Sequence, residues 1–410
     1  MDVSIKSHNG ITEGNVELPA SKSISNRVLI IRALCENHFE IKNLSGSDDT
    51  NILLNALNAG DTTINIGHAG TAMRFLTAYL SVTPGTWQLT GSERMKNRPV
   101  AKLVDALRKM GADIEYLNKE GYPPLSIKGK QLDCDTVTID GSVSSQYISA
   151  LMMIAPVLPN GLTIHLENQV ISSSYIRMTL ALMKHFGADG YFSGDEIRIE
   201  KGRYRPAQYT VEADWSAASY WYEAAFLSNA SNIFIKGLKQ ESLQGDAVIS
   251  QLFGKLGVHS EFTDQGVFIR RKSSGVEKLD YNFIDCPDMV QTFAVALSLK
   301  GLPFRFSGTQ SLRIKETDRI AALGDELDKF GVNLNYAPEG ILSYSGGKEA
   351  NDTSDIIIDT YQDHRMAMSF ASAALITGKL IVRDSNVVNK SYPGFWENLK
   401  NIGLIVEIIT

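Results

Sequence analysis

The sequence predicts an α/β protein of two domains, and its length together with an internal repeat carries that prediction. The chain has 410 residues, whereas single domains commonly run about 100 to 200 residues. A short pattern also recurs, in which an apolar helix ends at a glycine and a strand-like segment follows. The glycines of the six copies are Gly60, Gly111, Gly187, Gly257, Gly331 and Gly403.

Each copy of this pattern predicts one small α/β unit. Glycine suits the end of a helix because the residue after the cap commonly adopts a left-handed conformation that strains other residues. The last four intervals between the glycines are 76, 70, 74 and 72 residues, too long for helical solenoids, whose repeats run roughly 20 to 50 residues. A glycine after a single helix is common, but six copies with similar flanks favour six related subdomains.

Other elements follow from hydrophobic periodicity. Amphipathic helices are predicted over 144–158, 215–227, 288–299 and 363–376, and an alternating strand over 197–200. Breaks in the pattern near residues 18–20 and 212–214 predict two crossings between domains. One domain is then discontinuous, with residues 1–18 plus 214–410, and residues 19–213 form an inserted domain.

Composition excludes several classes of protein. The chain is 43% hydrophobic and 21% charged with a net charge of −6, which is ordinary for a folded domain and gives no support to nucleic-acid or membrane binding. Cys35, Cys134 and Cys286 are far apart and lack metal-ligand spacing. The longest apolar run, 148–158, is half of what a membrane span needs, about 20 residues. We expect a cytoplasmic monomer without a bound metal or transit peptide.

Several predicted helices place a cation in or near the first turn. These cations are Lys22, Arg27, Arg74, Arg177, Arg319 and Arg365. The positive end of the helix dipole favours Asp and Glu at such positions, so the pattern is unusual. Bound anions would remove the conflict, because helix N-termini with free N–H groups bind phosphates and carboxylates. For any single cation, Arg177 above all, a solvated surface position is the simpler interpretation.

The same segments carry a resemblance to a known family. In order, they are LPASKSISNR, GHAGTAMRFL, RMKNRP, GSVSSQY, SSSYI, PDM, IKETDR, DHRMAM and NKSYP. This ordered set, from Leu18 to Pro393, resembles the 5-enolpyruvylshikimate-3-phosphate synthases. The resemblance implies a two-domain, inside-out α/β barrel-like fold with six βαβαββ repeats, three per domain, and helix N-termini facing an interdomain cleft.

The resemblance also implies an activity and its substrates. Such enzymes move the enolpyruvyl group of phosphoenolpyruvate to the 5-hydroxyl of shikimate 3-phosphate in aromatic amino-acid biosynthesis, by addition and elimination, without a cofactor. By motif, the inserted domain should carry most of the shikimate 3-phosphate site. The expected ligands of this substrate are Lys22, Ser23, Arg27, Ser144, Ser145, Gln146, Ser172, Tyr175, Asp288, Ser311 and Lys315.

Phosphoenolpyruvate should be bound largely by arginines, because a guanidinium donates two parallel hydrogen bonds to a carboxylate or phosphate. The expected ligands are Lys22, Gly70, Arg98, Gln146, Arg319, Arg365 and Lys390. Plainer roles stay open for some of these positions. Gly70 could be a turn glycine, and Ser144, Ser145 and Ser172 could be helix caps.

The reaction requires a base and an acid, and the discontinuous domain should supply both. Asp288 should accept the hydroxyl proton, and Glu316 should protonate C3 of phosphoenolpyruvate. Lys22, Lys315 and His364 would stabilise charge or assist proton movement. A helix cap for Asp288 and an ion pair between Glu316 and Arg319 are alternatives that are compatible with catalysis.

Three positions depart from the family pattern: His68, Phe75 and Ser311, where Asn, Pro and Asn are usual. The nearest rival function is that of a UDP-N-acetylglucosamine enolpyruvyl transferase, which usually relies on a loop cysteine. A phosphate-binding protein without catalysis is a second rival. RMKNRP and IKETDR favour the shikimate acceptor, and the pairing of Asp288 with Glu316 favours an enzyme.

Overall fold

The computed structural model describes residues 1–272, 276–347 and 356–409. The chain divides into two compact units. We call Met1–Pro19 with Glu212–Thr410 the split unit, and Ala20–Val211 the inserted unit. Each unit buries its own hydrophobic core, one built by residues of the split unit and the other by residues of the inserted unit.

Helices and short strands alternate along the chain. Within the described ranges the α-helices are α1 (Lys22–Leu34), α2 (Asp48–Asn58), α3 (Gly70–Val82), α4 (Ala101–Lys109), α5 (Ser145–Ile154), α6 (Ser173–His185), α7 (Trp215–Leu227), α8 (Ile249–Lys255), α9 (Val290–Leu299), α10 (Arg319–Asp328), α11 (His364–Ala371), α12 (Ala374–Thr377) and α13 (Phe395–Asn401). The strands are β1 (Asp2–Lys6), β2 (Ile11–Glu17), β3 (Ile41–Lys42), β4 (Thr63–Asn65), β5 (Gly85–Thr90), β6 (Asp113–Tyr116), β7 (Leu125–Gly129), β8 (Thr136–Asp140), β9 (Leu162–Glu167), β10 (Gly190–Ser193), β11 (Glu196–Ile199), β12 (Tyr209–Thr210), β13 (Ala230–Lys236), β14 (Val258–Thr263), β15 (Gly266–Arg271), β16 (Leu279–Asn282), β17 (Phe304–Ser307), β18 (Asn335–Ala337), β19 (Ile341–Tyr344), β20 (Ile357–Ile358), β21 (Lys379–Val382) and β22 (Ile405–Ile409).

One strand order recurs in five four-stranded sheets formed by the described residues. The orders are β4-β5-β7-β6 and β8-β9-β11-β10 in the inserted unit, and β14-β15-β13-β2, β16-β17-β19-β18 and β20-β21-β1-β22 in the split unit. In each sheet two strands pair in parallel, as β4 does with β5, and the other two extend the sheet antiparallel. Parallel pairing needs a crossover helix, and antiparallel pairing only a hairpin. The predicted βαβαββ repeat is confirmed in these five sheets.

The sixth repeat is shorter than the sequence pattern indicated. It contains α1 and α2 but only the parallel pair β3 and β12, with Ile41 opposite Tyr209. Helix α2 ends at Asn58 and β4 begins at Thr63, which leaves no room for a hairpin. The strand after Gly60 therefore opens the next repeat instead of closing its own.

The backbone of the six repeat glycines reflects the same difference. Five of them have a positive φ: Gly111, Gly187, Gly257, Gly331 and Gly403, at +98°, +84°, +91°, +72° and +97°. Gly60 is not among the residues with positive φ. Left-handed glycines end helices where the chain turns back into the third strand of a repeat, so the Gly60 copy was wrongly grouped with the others.

The central helices of the split unit are buried on all sides. Every residue of α9 is buried, and α7 is buried at all but one position. Helices α7, α9 and α11 contact one another, and each also packs against a sheet strand, β13, β17 and β21 respectively. A helix that is apolar all round can only lie in a core. Their N-terminal ends carry the polar residues considered next.

The predicted helix boundaries agree with the structure at some helices and differ at others. The helix at 215–227 is confirmed as α7, but the prediction that it is amphipathic is wrong, because it is buried at all but one position. The helix predicted over 144–158 ends as α5 and continues as a 3₁₀ turn, Ala155–Val157, at Pro156, because proline cannot donate the next helical hydrogen bond. The helix predicted over 363–376 is divided into α11 and α12. No helix in the described part of the chain is long and apolar enough to cross a membrane.

Candidate active site

Three carboxylates of the split unit converge on one buried guanidinium. Arg319 is the first residue of α10 and is 1% exposed. Its Nε donates to Asp363 Oδ2 at 2.7 Å, its Nη1 to Asp288 Oδ1 at 2.9 Å and its Nη2 to Glu316 Oε2 at 3.0 Å. The carboxylates come from three separate segments: the 3₁₀ turn Pro287–Met289, the loop before α10, and the residue before α11.

Further cations hold the outer oxygens of two of these carboxylates. Lys390 Nζ donates to Glu316 Oε1 at 2.9 Å, and Arg365 Nη2 donates to Asp288 Oδ2 at 2.9 Å. Lys315 Nζ lies 3.7 Å from Asp288 Oδ1. Burial by itself raises the pKa of Asp288, but Arg365, Lys315 and Arg319 outweigh burial and hold that pKa well below its usual range. Asp288 is therefore ionised in this arrangement.

Arg319 is the fixed centre of the cluster. Burial alone lowers the pKa of its guanidinium, but Asp363, Glu316 and Asp288 more than reverse the effect, so the pKa lies above its ordinary value. A buried cation bound by three carboxylates is strongly held, because removing one partner leaves an uncompensated charge. Among the residues that the structure describes, no group of three or more His, Cys, Asp or Glu could hold a metal ion.

Two further predicted residues also lie in the split unit. His364 opens α11, is 2% exposed, and places Nδ1 3.7 Å from Asp363 Oδ1. Ser311 is 9% exposed in the 3₁₀ helix Gln310–Ile314, which precedes Lys315 and Glu316. Of the two alternatives considered for the acid and base, the ion pair between Glu316 and Arg319 is present, whereas Asp288 lies inside a 3₁₀ turn and does not cap α9.

At the starts of α10 and α11, aspartate side chains bond to some of the backbone N–H groups. Asp318 accepts hydrogen bonds from the backbone N–H groups of Ile320 and Ala321, both at 3.1 Å. Asp363 accepts from the backbone N–H of Arg365 at 2.9 Å. In the sequence, Asp318 directly precedes Arg319 and Asp363 stands two residues before Arg365. Because Asp is among the preferred N-cap residues, the caps could have been predicted.

In the inserted unit, two arginines close around the start of α3. A methyl group on Gly70 would lie 2.5 Å from Arg98 Nη1 and 2.6 Å from Arg74 Nη1. Arg74 Nη1 donates to the Gly70 carbonyl at 2.8 Å. Ala69, which precedes the helix, has no side-chain cap. Two guanidinium groups at a helix N-terminus form an environment suited to an anion.

Arg27 has internal bonds that its predicted role did not include. It lies on α1, is 2% exposed, and donates to Thr179 Oγ1 at 2.7 Å, Ser149 Oγ at 3.0 Å and the Ser23 carbonyl at 2.8 Å. Burial lowers the pKa of Arg27 to about 10, opposed by the nearby Tyr175. The guanidinium therefore links α1 to α5 and α6.

The other predicted residues of this unit lie at or near the starts of α1, α5 and α6. Gln146 Nε2 donates to Thr71 Oγ1 at 3.2 Å, which joins the start of α5 to that of α3. Lys22 Nζ lies 3.3 Å from Asp49 Oδ2. Ser144 caps α5 by accepting from the Gln146 N–H at 3.3 Å, so its capping alternative is present. The buried Ser145 opens α5, and Ser172 precedes α6 at φ +56° without a side-chain cap.

Three residues that contact predicted site residues were not themselves predicted, Asp363 and Tyr220 in the split unit and Thr71 in the inserted unit. Asp363 bonds to Arg319, Thr71 bonds to Gln146, and Tyr220 accepts from Arg365 Nη1 at 3.3 Å. Asp363 and Thr71 stand inside quoted motifs, so their polar character was available as a signal. Tyr220 lies within an apolar helix, where no sequence pattern distinguishes it from the core.

Two of the unusual positions have local explanations. His68 Nδ1 and Ser92 Oγ are 2.8 Å apart, so this histidine is hydrogen-bonded to the loop that follows β5. Phe75 is 1% exposed, and its ring lies 5.4 Å from the Arg27 guanidinium. An aromatic ring below a buried cation contributes a cation–π contact, which proline could not supply.

Solved structures with the same fold are enolpyruvyl transferases. EPSP synthase from Acinetobacter baumannii superposes with a TM-score of 0.80 at 22% identity, covering 99% of this chain and all of that one. The enolpyruvyl transferase NikO from Streptomyces tendae gives 0.75 at 16% identity, covering 99% and 98% of the two chains. At these identities the likeness defines the fold. The two-domain α/β prediction is confirmed.

Sequence relatives define the family. The family model described as EPSP synthase (3-phosphoshikimate 1-carboxyvinyltransferase) matches residues 8–61 and 55–399. A protein from Bacteroides fragilis named 3-phosphoshikimate 1-carboxyvinyltransferase is 48% identical over 97% of both chains. A protein of the same name from Vibrio atlanticus is 38% identical over 95% of this chain and 97% of its own. The chain belongs to the EPSP synthase family.

Proposed function

We propose that this chain transfers the enolpyruvyl group of phosphoenolpyruvate to the 5-hydroxyl of shikimate 3-phosphate and releases inorganic phosphate. Family membership and the names of relatives that match almost the whole chain support this activity. One structural observation supports it most: Asp288 and Glu316 share the buried Arg319, and each is also bound by a further cation. A base, an acid and anion-binding groups are thus adjacent.

The reaction is an addition followed by an elimination. The 5-hydroxyl oxygen bonds to C2 of phosphoenolpyruvate, its proton passes to a base, and C3 gains a proton. The C2–O bond to phosphate then breaks, C3 returns a proton to the acid, and the leaving phosphate takes up the proton held by the base, which yields the enol ether and inorganic phosphate. Asp288 is the proposed base and Glu316 the proposed acid.

Asp288 is a weak base while Arg365 and Lys315 hold it. Substrate carboxylate and phosphate groups compete for these cations. When they take over hydrogen bonds from Arg365 and Lys315, the pKa of Asp288 rises toward its ordinary value. Substrate binding would therefore make Asp288 a stronger base. Without substrate, the cations would keep Asp288 ionised and weakly basic.

Glu316 is held in a comparable way by Lys390 on one oxygen and Arg319 on the other. An anionic substrate that draws Lys390 away leaves one oxygen free to exchange a proton with C3. Arg319 stays with Asp363 and keeps the carboxylate in place. His364, beside Asp363 at the start of α11, is proposed to stabilise charge during proton movement.

The residues of the inserted unit are proposed to bind the anionic groups of the substrates. Lys22, Ser23 and Arg27 lie in the first turns of α1, and Ser144 to Gln146 lie at the start of α5. Ser172 and Tyr175 complete the proposed shikimate 3-phosphate ligands of this unit. Arg98, which lies against Gly70, is proposed as a ligand of phosphoenolpyruvate.

The alternative acceptor, a UDP-linked amino sugar, receives less support. Its enzymes usually rely on a reactive cysteine, and burial raises the pKa of the Cys286 thiol well above its usual range. Cys35 and Cys134 donate to the carbonyl groups of Tyr204 and Thr136. A thiol whose pKa is raised by burial, as that of Cys286 is, is a poor nucleophile.

The proposed function is tested by phosphate release. The full chain is mixed with phosphoenolpyruvate and either shikimate 3-phosphate or UDP-N-acetylglucosamine. We expect stoichiometric inorganic phosphate and an enolpyruvyl product with shikimate 3-phosphate alone. Release only with the nucleotide sugar would replace the proposed acceptor. Binding of phosphoenolpyruvate without release in either mixture would indicate a protein that binds substrate without catalysis.

A further inference from the structure

A buried carboxyl group of the split unit, Asp246, has no role in the function proposed above. It lies in the 3₁₀ helix Gly245–Val248, which leads into α8, and is 3% exposed. Its Oδ2 accepts a hydrogen bond from Ser216 Oγ at the start of α7. Its Oδ1 is buried and makes no hydrogen bond to the residues that the structure describes. A buried polar atom is costly unless something pairs with it.

The segment that carries Asp246 is fixed to the start of α7. The Gln244 side chain accepts from the Trp215 N–H at 3.0 Å and donates to the Ala213 carbonyl at 2.8 Å. Two hydrogen bonds from one amide fix the position of the following turn. Asp246 is therefore held in a defined place and is not a mobile surface acid.

Helix α7 connects Asp246 to the candidate active site. Ser216 and Tyr220 are four residues apart and share one face of the helix. The Tyr220 hydroxyl accepts from Arg365 Nη1 at 3.3 Å, and Arg365 Nη2 holds Asp288 at 2.9 Å. One face of α7 thus contacts Asp246 at its first turn and the cation that binds Asp288 at its second.

The charges around Asp246 come from three elements. Asp288 and Cys286 belong to the segment before α9, Arg365 to α11, and Asp214 to the start of α7. Burial and then the charge of Asp288 raise the pKa of Asp246, Ser216 and Arg365 lower it, and Asp214 raises it again. The balance raises the pKa of Asp246 to about 7, so its charge changes within the physiological pH range.

We propose that Asp246 is a positioning residue for the enolpyruvyl transfer, and that its charge determines how firmly Arg365 holds Asp288. This proposal rests on the proposed function. Ionised Asp246 attracts Arg365 and repels the charge on Asp288, so Asp288 accepts a proton more readily. Protonated Asp246 does neither, and Arg365 then binds Asp288 fully. Basic solution therefore favours the active arrangement through Asp246.

The test compares the wild type with Asp246→Asn between pH 5.5 and 8.5. Asparagine keeps the shape and accepts from Ser216 but cannot ionise. We expect kcat/KM for shikimate 3-phosphate to agree within about twofold at pH 5.5, and the wild type to be about three- to tenfold faster above pH 8. The ratio should change with a midpoint near pH 7. Ionisations common to both proteins, including that of the substrate phosphate, cancel in the ratio.

Ser216→Ala provides the matched second variant. Losing this hydroxyl removes a hydrogen bond that lowers the pKa of Asp246, so its pH midpoint should lie above that of the wild type. Asp264→Asn removes an exposed acid of the same unit and should leave the profile unchanged. Thermal unfolding of each variant checks that it is folded.

A pH-independent ratio between wild type and Asp246→Asn, with both proteins folded and active, would overturn the proposal. If Asp246→Asn does not fold, the comparison of Ser216→Ala with the wild type decides. An equal pH midpoint of kcat/KM in these two proteins would also overturn the proposal. Failure of the proposed function is a separate result, since the wild type would then release no phosphate from phosphoenolpyruvate and shikimate 3-phosphate at any pH.

Discussion

Three helices of each unit begin differently, although α5 of the inserted unit is capped by Ser144 and α9 of the split unit has no side-chain cap from a described residue. In the split unit α7, α10 and α11 each start with an aspartate that accepts a backbone hydrogen bond, namely Asp214, Asp318 and Asp363. In the inserted unit α1, α3 and α6 start at Ser21, Ala69 and Ser172, and no side-chain cap to a described residue is present. A capped start already has its positive dipole end satisfied, whereas an uncapped start presents N–H groups to an anion.

The arginines beside these helix starts differ in the same sense. Arg319 of the split unit is bound by three carboxylates. Arg98 of the inserted unit has no carboxylate of the described residues within ion-pair distance, and it lies against a glycine. Under the proposed function, the split unit would use its paired cations and acids for proton transfer, and Arg98 of the inserted unit would bind a ligand. The following predictions test this proposed difference between the two units.

The largest expected effect concerns the acid of the split unit. Glu316→Gln keeps the side-chain shape and loses the exchangeable proton, so kcat should fall by roughly 10² to 10⁴ while substrate binding persists. Steady-state kinetics with a separate measurement of shikimate 3-phosphate binding will show this. Glu397→Gln is a matched control, because Glu397 also pairs with a cation three residues later, Lys400, but at an exposed site. Turnover of Glu316→Gln within threefold of the wild type would exclude this residue from the chemistry.

An intermediate effect is expected at the uncapped helix of the inserted unit. Arg98→Lys replaces a guanidinium, which donates two hydrogen bonds in a fixed plane, with a point charge. The KM for phosphoenolpyruvate should rise about tenfold, with a smaller change in kcat. Arg177→Lys is the control, since Arg177 is exposed and lies over the Phe192 ring. If both substitutions left KM unchanged, Arg98 would not bind the substrate, and the contrast between the units would lose its functional meaning.

The smallest expected effect on turnover concerns Glu223, a buried acid whose carboxyl group has no hydrogen bond to the described residues. Glu223 on α7 is fully buried, and neither carboxyl oxygen bonds to a described residue. Burial raises the pKa of Glu223 well above its usual value, so the folded chain keeps a proton that the unfolded chain loses. The contribution of Glu223 to stability is then full below the ordinary pKa of about 4.5 and is lost as pH rises toward the folded pKa.

Glu223→Gln should remove this loss and raise the melting temperature at pH 8 relative to the wild type, with little difference at pH 4.5. Glu326→Gln is the opposite case in the same unit, because buried Glu326 is bound by Lys329 and by the Tyr361 hydroxyl at 2.8 Å. That substitution should destabilise the chain across the range. Equal pH dependence of melting for Glu223→Gln and the wild type would show that Glu223 is already paired or ionised.

Local sequence patterns determined the repeat and most helix positions. The hydrophobic pattern of residues 215–227 predicts a helix, and this span folds as α7. Glycines correctly marked the end of the second helix in five repeats, since the left-handed backbone at Gly111 or Gly403 is a local requirement. Gly60 follows its helix as the others do, yet only the short path from Asn58 to Thr63 decided that no hairpin fits there.

The residues of the candidate site could be predicted from their motifs. The contacts between them could not. Asp288, Glu316 and Arg365 stand in separate segments, and local patterns carry no distance between them. Tertiary structure decided that Asp363 completes the set around Arg319 and that Arg27 braces three helices from inside. It also decided that Asp246 lies beside α7. The physical reason is that burial and charge pairing depend on which elements pack together, whereas helix caps and turns depend on the adjoining residues alone.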